Sequence, residues 1–323
     1  MSEKDEYLFS ILFSDKILEL TILPTEQCNF RCVYCYEKFI SGQMSREIID
    51  AIKALIKSRT LGLEHLRIGW FGGEPLLVKD IILEISSYAM SLVEINPRLF
   101  FDSGMSTNGY LLTNETAEQL ISNGVTEFQV SLDGPASYHD KVRLRRDGKG
   151  TFDRIWRNLL DLKYSSLEFK INLRVHFSKD NIEVIDNLIK DLKANFNNDH
   201  RFQIFFKSIV PLGGKNDASL NCFNDEEAYR VIQDFKSRLG KGIYTFMNEE
   251  SPYICYAGRP TSFVIRHDGR LAKCTVGLDE PENQIGYLRK NGTLEIDQGK
   301  IQPWFKGAVS LDREILRCPR AFI

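Results

Sequence analysis

Six short apolar runs alternate with six longer amphipathic stretches along this chain, and that alternation narrows its fold more than any other property. The runs Lys16–Leu23, Leu66–Phe71, Leu99–Met105, Thr126–Leu132, Glu168–Phe177 and Arg201–Val210 have strand length and strand composition. Between and after them, the period shifts to that of a helix. Ser45–Lys57 puts Ile48, Ile49, Ile52, Leu55 and Ile56 on one face, with Ser45 placed to cap it. Further helices are expected near Asp80–Val93, at Thr113–Asn123 before Gly124, and at Thr151–Tyr164. Two more are expected at Asp180–Ala194, with an Asp180/Glu183 capping box, and at Asn224–Leu239, with the same pattern and Gly240 beyond its end. Six βα units in series require a parallel sheet with right-handed crossovers. They are too few for a closed eight-stranded barrel, and in such folds chemistry gathers where strands end.

After Leu239 the pattern changes. Residues 251–323 carry no long amphipathic helix, and Phe263–Lys273 reads as a hairpin turning at Asp268-Gly269. The organisation expected is a barrel over 1–215, a connecting helix over 216–250 and a smaller domain over 251–323, with Ile209–Leu220 as the flexible connection. A formal net charge of −2 offers no basic field for nucleic acid or an anionic membrane. No apolar run reaches a transmembrane length, and the charged N-terminus has no signal-peptide pattern. Seven cysteines, an odd number without an export signal, argue against a disulfide framework and for a reducing cytoplasm.

Three of these cysteines, Cys28, Cys32 and Cys35, follow the first strand as C-x3-C-x2-C. One loop at that spacing can aim three thiolates at a single point. A [4Fe–4S] cube held by three cysteines keeps one iron free for a small molecule, which suits catalysis. The other reading is a three-cysteine zinc loop, which would want a fourth Cys or His; no His lies in the segment.

The same string, with Tyr34 as the aromatic before Cys35, resembles the signature of the radical S-adenosylmethionine (AdoMet) enzymes. Trp70-Phe71-Gly72-Gly73-Glu74-Pro75 is similar to that family's GGEP segment, and Ser106–Tyr110 and Val130–Pro135 to its later strand ends. The resemblance implies an α/β fold: a partial (β/α)6 TIM-type barrel with a small C-terminal domain. It implies a catalytic [4Fe–4S] cluster on Cys28, Cys32 and Cys35 that binds AdoMet, cleaves it reductively and releases a 5′-deoxyadenosyl radical. Gly72, Gly73 and Glu74 would line the methionine amino group, and Asn108 and Ser131 would meet the ribose or methionine part. Arg143 could pair a carboxylate bidentately or lie on the surface; Arg174 alternates with apolar neighbours and could point into the barrel. The five His residues form no ligand pair and read as structural, and the basic run Lys141–Arg146 as a solvated loop, or a hold for an acidic peptide beside the barrel mouth.

Cys255 and Cys274 flank the hairpin as C-x13-G-x4-C, and Cys318 follows. This resembles the C-terminal extension called SPASM, or twitch in its short form, and implies a second, auxiliary [4Fe–4S] cluster. Zinc or plain buried thiols are the alternatives. Position 321, where the full extension has a further cysteine, is Ala321. Cys222 could be a fourth ligand, a thiol that reacts with a substrate radical, or packing. Anaerobic sulfatase maturases carry an Asp base directly after the second extension cysteine; Thr275 stands there instead. The resemblance implies a peptide maturase first, forming a crosslink or related change in a ribosomally made peptide, and a small-molecule enzyme second. A non-catalytic metal scaffold is the outside reading. An external donor of flavodoxin or ferredoxin type would supply electrons. Because Cys28 comes so early, a separate leader-binding protein or the barrel's own surface is expected to recruit a peptide.

Overall fold

The computed structural model describes residue 10 and residues 12–240 and 253–323. Its strands are β1 (Ile17–Ile22), β2 (Phe30–Cys32), β3 (His65–Trp70), β4 (Phe100–Thr107), β5 (Val125–Leu132), β6 (Arg143–Arg145), β7 (Lys170–Phe177), β8 (Phe202–Ser208), β9 (Ser262–Ile265), β10 (Arg270–Ala272), β11 (Gly286–Leu288) and β12 (Leu294–Ile296). Strands β1, β3, β4, β5, β7 and β8 pair in that order, each parallel to the next. Helices cover their outer face, so the protein is an α/β partial barrel.

Alternation decides which side chains line the lumen. In β7, Leu173 and Val175 are fully buried against the helices, while Asn172 and Arg174 face inward. The expected helices form as Arg46–Arg59, Lys79–Ile95, Asn114–Ser122, Phe152–Lys163, Ile185–Phe196 and Asp225–Leu239. Ser45 caps the first through Ile48 N, and Asn224 and Glu227 form a reciprocal capping box on the last. The fifth departs from expectation: it starts at Ile185, and no Asp180/Glu183 box caps it. Asn181 causes this. Its buried amide donates to Asp133 O (2.8 Å) and His176 O (3.1 Å), tying the ends of β5 and β7 together and holding residues 180–184 in turns.

The C-terminal segment extends the same sheet. Strand β9 runs parallel to the open side of β1, and β10, β11 and β12 add antiparallel, giving the order β12-β11-β10-β9-β1-β3-β4-β5-β7-β8. The hairpin turns where expected, with Gly269 at φ +83°, where a Cβ would fall 2.8 Å from the Ile48 side chain. Helices beyond it are four or five residues long. A separate two-stranded ribbon joins β2 to β6 and sets Cys32 opposite Arg143. Among the described residues, no helix is long and apolar enough to cross a membrane.

Candidate active site

The site begins where β1 ends. Thr25 Oγ1 donates to Gly42 O (2.6 Å) and accepts from Gln27 N (3.2 Å), turning the chain into the cysteine loop. The strand-end segment after β3 lies directly against this turn, and Glu74 N donates to Gln27 O at 2.8 Å. Only glycine fits there. A Cβ on Gly72, at φ +125°, would fall 2.2 Å from Thr25 O, and one on Gly73 would fall 2.3 Å from Gln27 O. The paired glycines therefore hold the cysteine loop close to the sheet.

Glu74 is fully buried and spends both oxygens within the protein. Oε1 accepts from Thr107 Oγ1 (2.8 Å) and Leu76 N (3.1 Å), and Oε2 from Asn108 N (2.7 Å). Burial raises its pKa against the lowering pull of those donors. The carboxylate thus ties the end of β3 to the end of β4. Asn108 in turn donates to Asn29 Oδ1 (2.8 Å), with its amide nitrogen 3.9 Å from Cys28 Sγ.

Cys28, Cys32 and Cys35 are all partly buried. Phe30 N points at Cys28 Sγ (3.3 Å), and Cys35 N donates to Cys32 O (3.2 Å). Burial raises all three thiols, Cys35 to about 12, with Glu74 adding to the rise at Cys28 and Cys32 to that at Cys35. Among the described residues, no three His, Cys, Asp or Glu side chains converge tightly enough for one metal ion. A tetrahedral zinc with Zn–S near 2.3 Å needs its sulfurs about 3.8 Å apart. A cube, by contrast, takes each thiolate on a different iron, so this loop's three-thiol donor set fits a [4Fe–4S] cluster better than zinc.

Behind the loop lies a buried polar network that the sequence did not announce. Arg143 is 6% exposed, not a surface arginine; it donates to Tyr34 Oη (2.6 Å) and lies 3.9 Å from Asp133. His176 Nδ1 sits 3.2 Å from both Tyr34 Oη and Asp133 Oδ1. Burial would raise Asp133, but Arg143 and His176 outweigh it and hold the carboxyl well below the usual range. Burial, then the Arg174 charge, pushes His176 down to about 4, so it is neutral at physiological pH. His176 therefore belongs to the site. His139 is structural as expected, bridging Asp133 N and Thr151 Oγ1. The basic run is no solvated loop either: Arg143–Arg145 is a ribbon strand, and Arg145 donates to Tyr110 Oη (2.9 Å). Alternating Arg174 and His176 at a strand end were the available signal.

Within the barrel lies an open cavity of about 290 Å³, walled by Thr21, Gly104, Gln129 and Asn172 and reached by Tyr256 and Thr275 of the C-terminal segment. Tyr256 Oη accepts from Thr275 N (2.9 Å) and lies 3.0 Å from Thr275 Oγ1. Ser131 stands one lumen position above Gln129, in register with Arg174.

The three C-terminal cysteines are neighbours of one another. Cys255 N donates to Leu316 O (2.9 Å), two residues before Cys318, and Cys274 N donates to Asn283 Oδ1 (3.0 Å). Burial raises Cys274 to about 11, and neighbouring Cys255 and Cys318 add to the rise. Cys222 joins neither group. It sits outside the end of β7, where burial and then Asp217 and Asp180 raise its thiol.

Residues 22–194, from the last residue of β1 through most of the helix Ile185–Phe196, match the radical SAM superfamily. The chain belongs to that superfamily. A cysteine-type anaerobic sulfatase-maturating enzyme of Clostridium novyi is 26% identical over 88% of this chain and 80% of its own length. A GTP 3′,8-cyclase of a Cyanothece species is 30% identical over 85% of this chain and 86% of its own. Among solved structures, native anSMEcpe with bound AdoMet and the Kp18Cys peptide shares the fold, with a TM-score of 0.68 at 20% identity. That match spans 94% of this chain and 88% of the other. This radical SAM enzyme thus has relatives of different activity at similar identity, so family membership does not name its reaction.

Proposed function

We propose that the chain reductively cleaves AdoMet and uses the radical so formed to abstract a hydrogen atom from a ribosomally made peptide, leaving a crosslink or related change. Cys28, Cys32 and Cys35 would hold the catalytic [4Fe–4S] cluster. When bound there, the reduced cluster supplies the electron that splits the AdoMet sulfonium. Gly72 and Gly73 let the strand-end segment lie against the cysteine loop, and Glu74 braces the ends of β3 and β4. Asn108, Ser131 and Arg143 orient the polar groups of AdoMet, with Tyr34 fixing the Arg143 fork. Cys255, Cys274 and Cys318 would hold an auxiliary cluster, and an external flavodoxin- or ferredoxin-type donor would feed electrons in a reducing cytoplasm. A separate leader-binding protein could bring the peptide.

One observation carries the peptide reading. Tyr256 and Thr275, each next in sequence to a C-terminal cysteine, form part of the lumen wall. The segment proposed to hold the auxiliary cluster is thus also a wall of the substrate chamber. The fold shared with anSMEcpe runs through that segment, and anSMEcpe is a structure with peptide bound. The relation to GTP 3′,8-cyclase favours a second reading, oxidation or rearrangement of a small molecule in the same chamber.

Anaerobic reconstitution tests both levels. The chain should carry about eight iron atoms, and the Cys28→Ala/Cys32→Ala/Cys35→Ala variant about four, with 5′-deoxyadenosine production lost. Undiminished production by that variant would remove the cluster assignment. Mass spectrometry after turnover should find a mass change in a short peptide encoded beside the gene. A change found only in nucleotides or sugar alcohols would move the reading to small molecules.

A further inference from the structure

Arg174 lies in the middle of β7, between the fully buried Leu173 and Val175 that turn the other way. It is in register with Ser131 on one side and Phe205 on the other. Its guanidinium carbon sits 5.8 Å from the centre of the Phe205 ring, and its Nε is buried without a hydrogen-bond partner. Two residues past Phe205, on the same face of β8, comes Lys207, close enough for the two positive charges to repel. Among the described residues, neither cation forms an ion pair: the nearest carboxylates act on them only from beyond ion-pair distance, Asp133 on Arg174 and Asp225 on Lys207. Asp133 is in contact with Arg143 and His176 instead, Glu127 with Arg67 and Lys170, and Asp102 with His65 and Arg67.

A guanidinium held partly buried on the inner face of a barrel without an ion-pair partner carries a desolvation penalty that nothing in the fold offsets. Sequence offers cheap alternatives at a lumen position, such as the Asn172 and Gln129 found one step below. A cation kept there at that cost is a cation waiting for an anion. The free Nε, with the neighbouring N–H of the same fork, presents the paired donors that suit a carboxylate. Arg143, opposite Cys32 in the β2–β6 ribbon and bonded to Tyr34, is the cation set at the cysteine loop, and this leaves Arg174, one lumen position above the cavity-wall residue Asn172, for the substrate.

We infer that Arg174, assisted by Lys207, binds a carboxylate of the substrate, so that the peptide carries an acidic residue or its C-terminus in the lumen. This rests on the peptide reading above and adds to it the charge that the peptide must bear. Phe205 would stack beneath the guanidinium and keep its plane fixed.

The test uses two probes, N-acetyl-glutamate amide and N-acetyl-glutamine amide, titrated calorimetrically into the reconstituted, AdoMet-loaded enzyme without oxygen. Wild type should bind the acidic probe at least tenfold more tightly than its amide twin. Arg174→Gln should erase that preference, and Arg174→Lys should recover part of it. Equal binding of the two probes by wild type overturns the inference, and that comparison needs no variant to fold. An unchanged preference in Arg174→Gln overturns it too. A third result would as well: AdoMet affinity falling tenfold in Arg174→Gln would assign the arginine to the cofactor's own carboxylate. Failure to find a modified peptide during turnover would remove the peptide reading but leave the probe selectivity to be judged on these results.

Discussion

Cutting the clasp between the cysteine loop and the C-terminal hairpin should unfold this protein far more readily than cutting any surface ion pair. Glu26, two residues before Cys28, is 3% exposed, and Arg266, at the hairpin turn, is 2% exposed. Arg266 Nε and Nη2 meet the two oxygens of Glu26 at 2.9 and 2.5 Å, the bidentate form. His267 adds a contact at 2.9 Å, while Arg266 Nη1 reaches Leu278 O (2.7 Å) and Asp279 (3.0 Å). Burial alone would raise Glu26, yet its bonds from His267 and Arg266 bring it down to about 2. In Arg266→Ala the Glu26 carboxylate stays buried with His267 alone, and Leu278 O loses its donor. Breaking such a pair costs about 3–5 kcal/mol. For a chain of this size that lowers the unfolding midpoint by roughly 10 °C. Glu26→Leu should cost a similar amount for the mirror reason. The double variant Glu26→Leu/Arg266→Met removes both charges and should cost under about 2 kcal/mol, a large departure from additivity. Anaerobic urea unfolding of the reconstituted protein, followed by tryptophan fluorescence, measures all three. Additive costs in the double variant, or single costs below about 1 kcal/mol, would refute the claim that the clasp is a coupled, desolvated pair.

Gly73→Ala should displace the cysteine loop, because its Cβ would fall 2.3 Å from a backbone oxygen that cannot swing aside. Reconstituted iron should drop toward four atoms per chain, and a full complement would show that the loop tolerates the shift. Cys222→Ala should keep wild-type iron content and cluster spectra, since Cys222 lies with Asp217 and Asp180 rather than with either cysteine group. A changed auxiliary-cluster spectrum would reinstate it as a ligand.

The barrel was legible in the sequence because its signals are local. A strand of Ile, Leu and Val followed by a capped amphipathic helix repeats the same statement six times, and each statement sits within about thirty residues. Asp180 and Glu183 show the limit of that reasoning. Their spacing satisfies a capping rule, but Asn181 beside them is bound to two strand ends, and the tertiary bonds decide where the helix starts. The ribbon of β2 and β6 was not legible, being three residues a side and rich in arginine, with no alternation long enough to register.

What the sequence hid most thoroughly is where charge goes. Arg143, Arg174 and Arg266 look alike in a string of letters, and each has a different fate. Arg143 finds Tyr34 across 109 residues and Asp133 nearby; Arg266 finds Glu26 across 240. Arg174 finds an aromatic ring and, among the described residues, no carboxylate at ion-pair distance, Asp133 acting on it only from further away. The first two have carboxylate partners in the fold and brace the cysteine loop, one behind it through the β2–β6 ribbon and one through the hairpin, although Arg143 keeps a buried Nε without a hydrogen-bond partner. The third is left unsatisfied at a position where the fold could have placed an amide, as it did at Asn172. A buried charge with its partner inside the chain supports structure, whereas one without a partner draws a partner from outside, and that difference separates Arg174 from its two lookalikes.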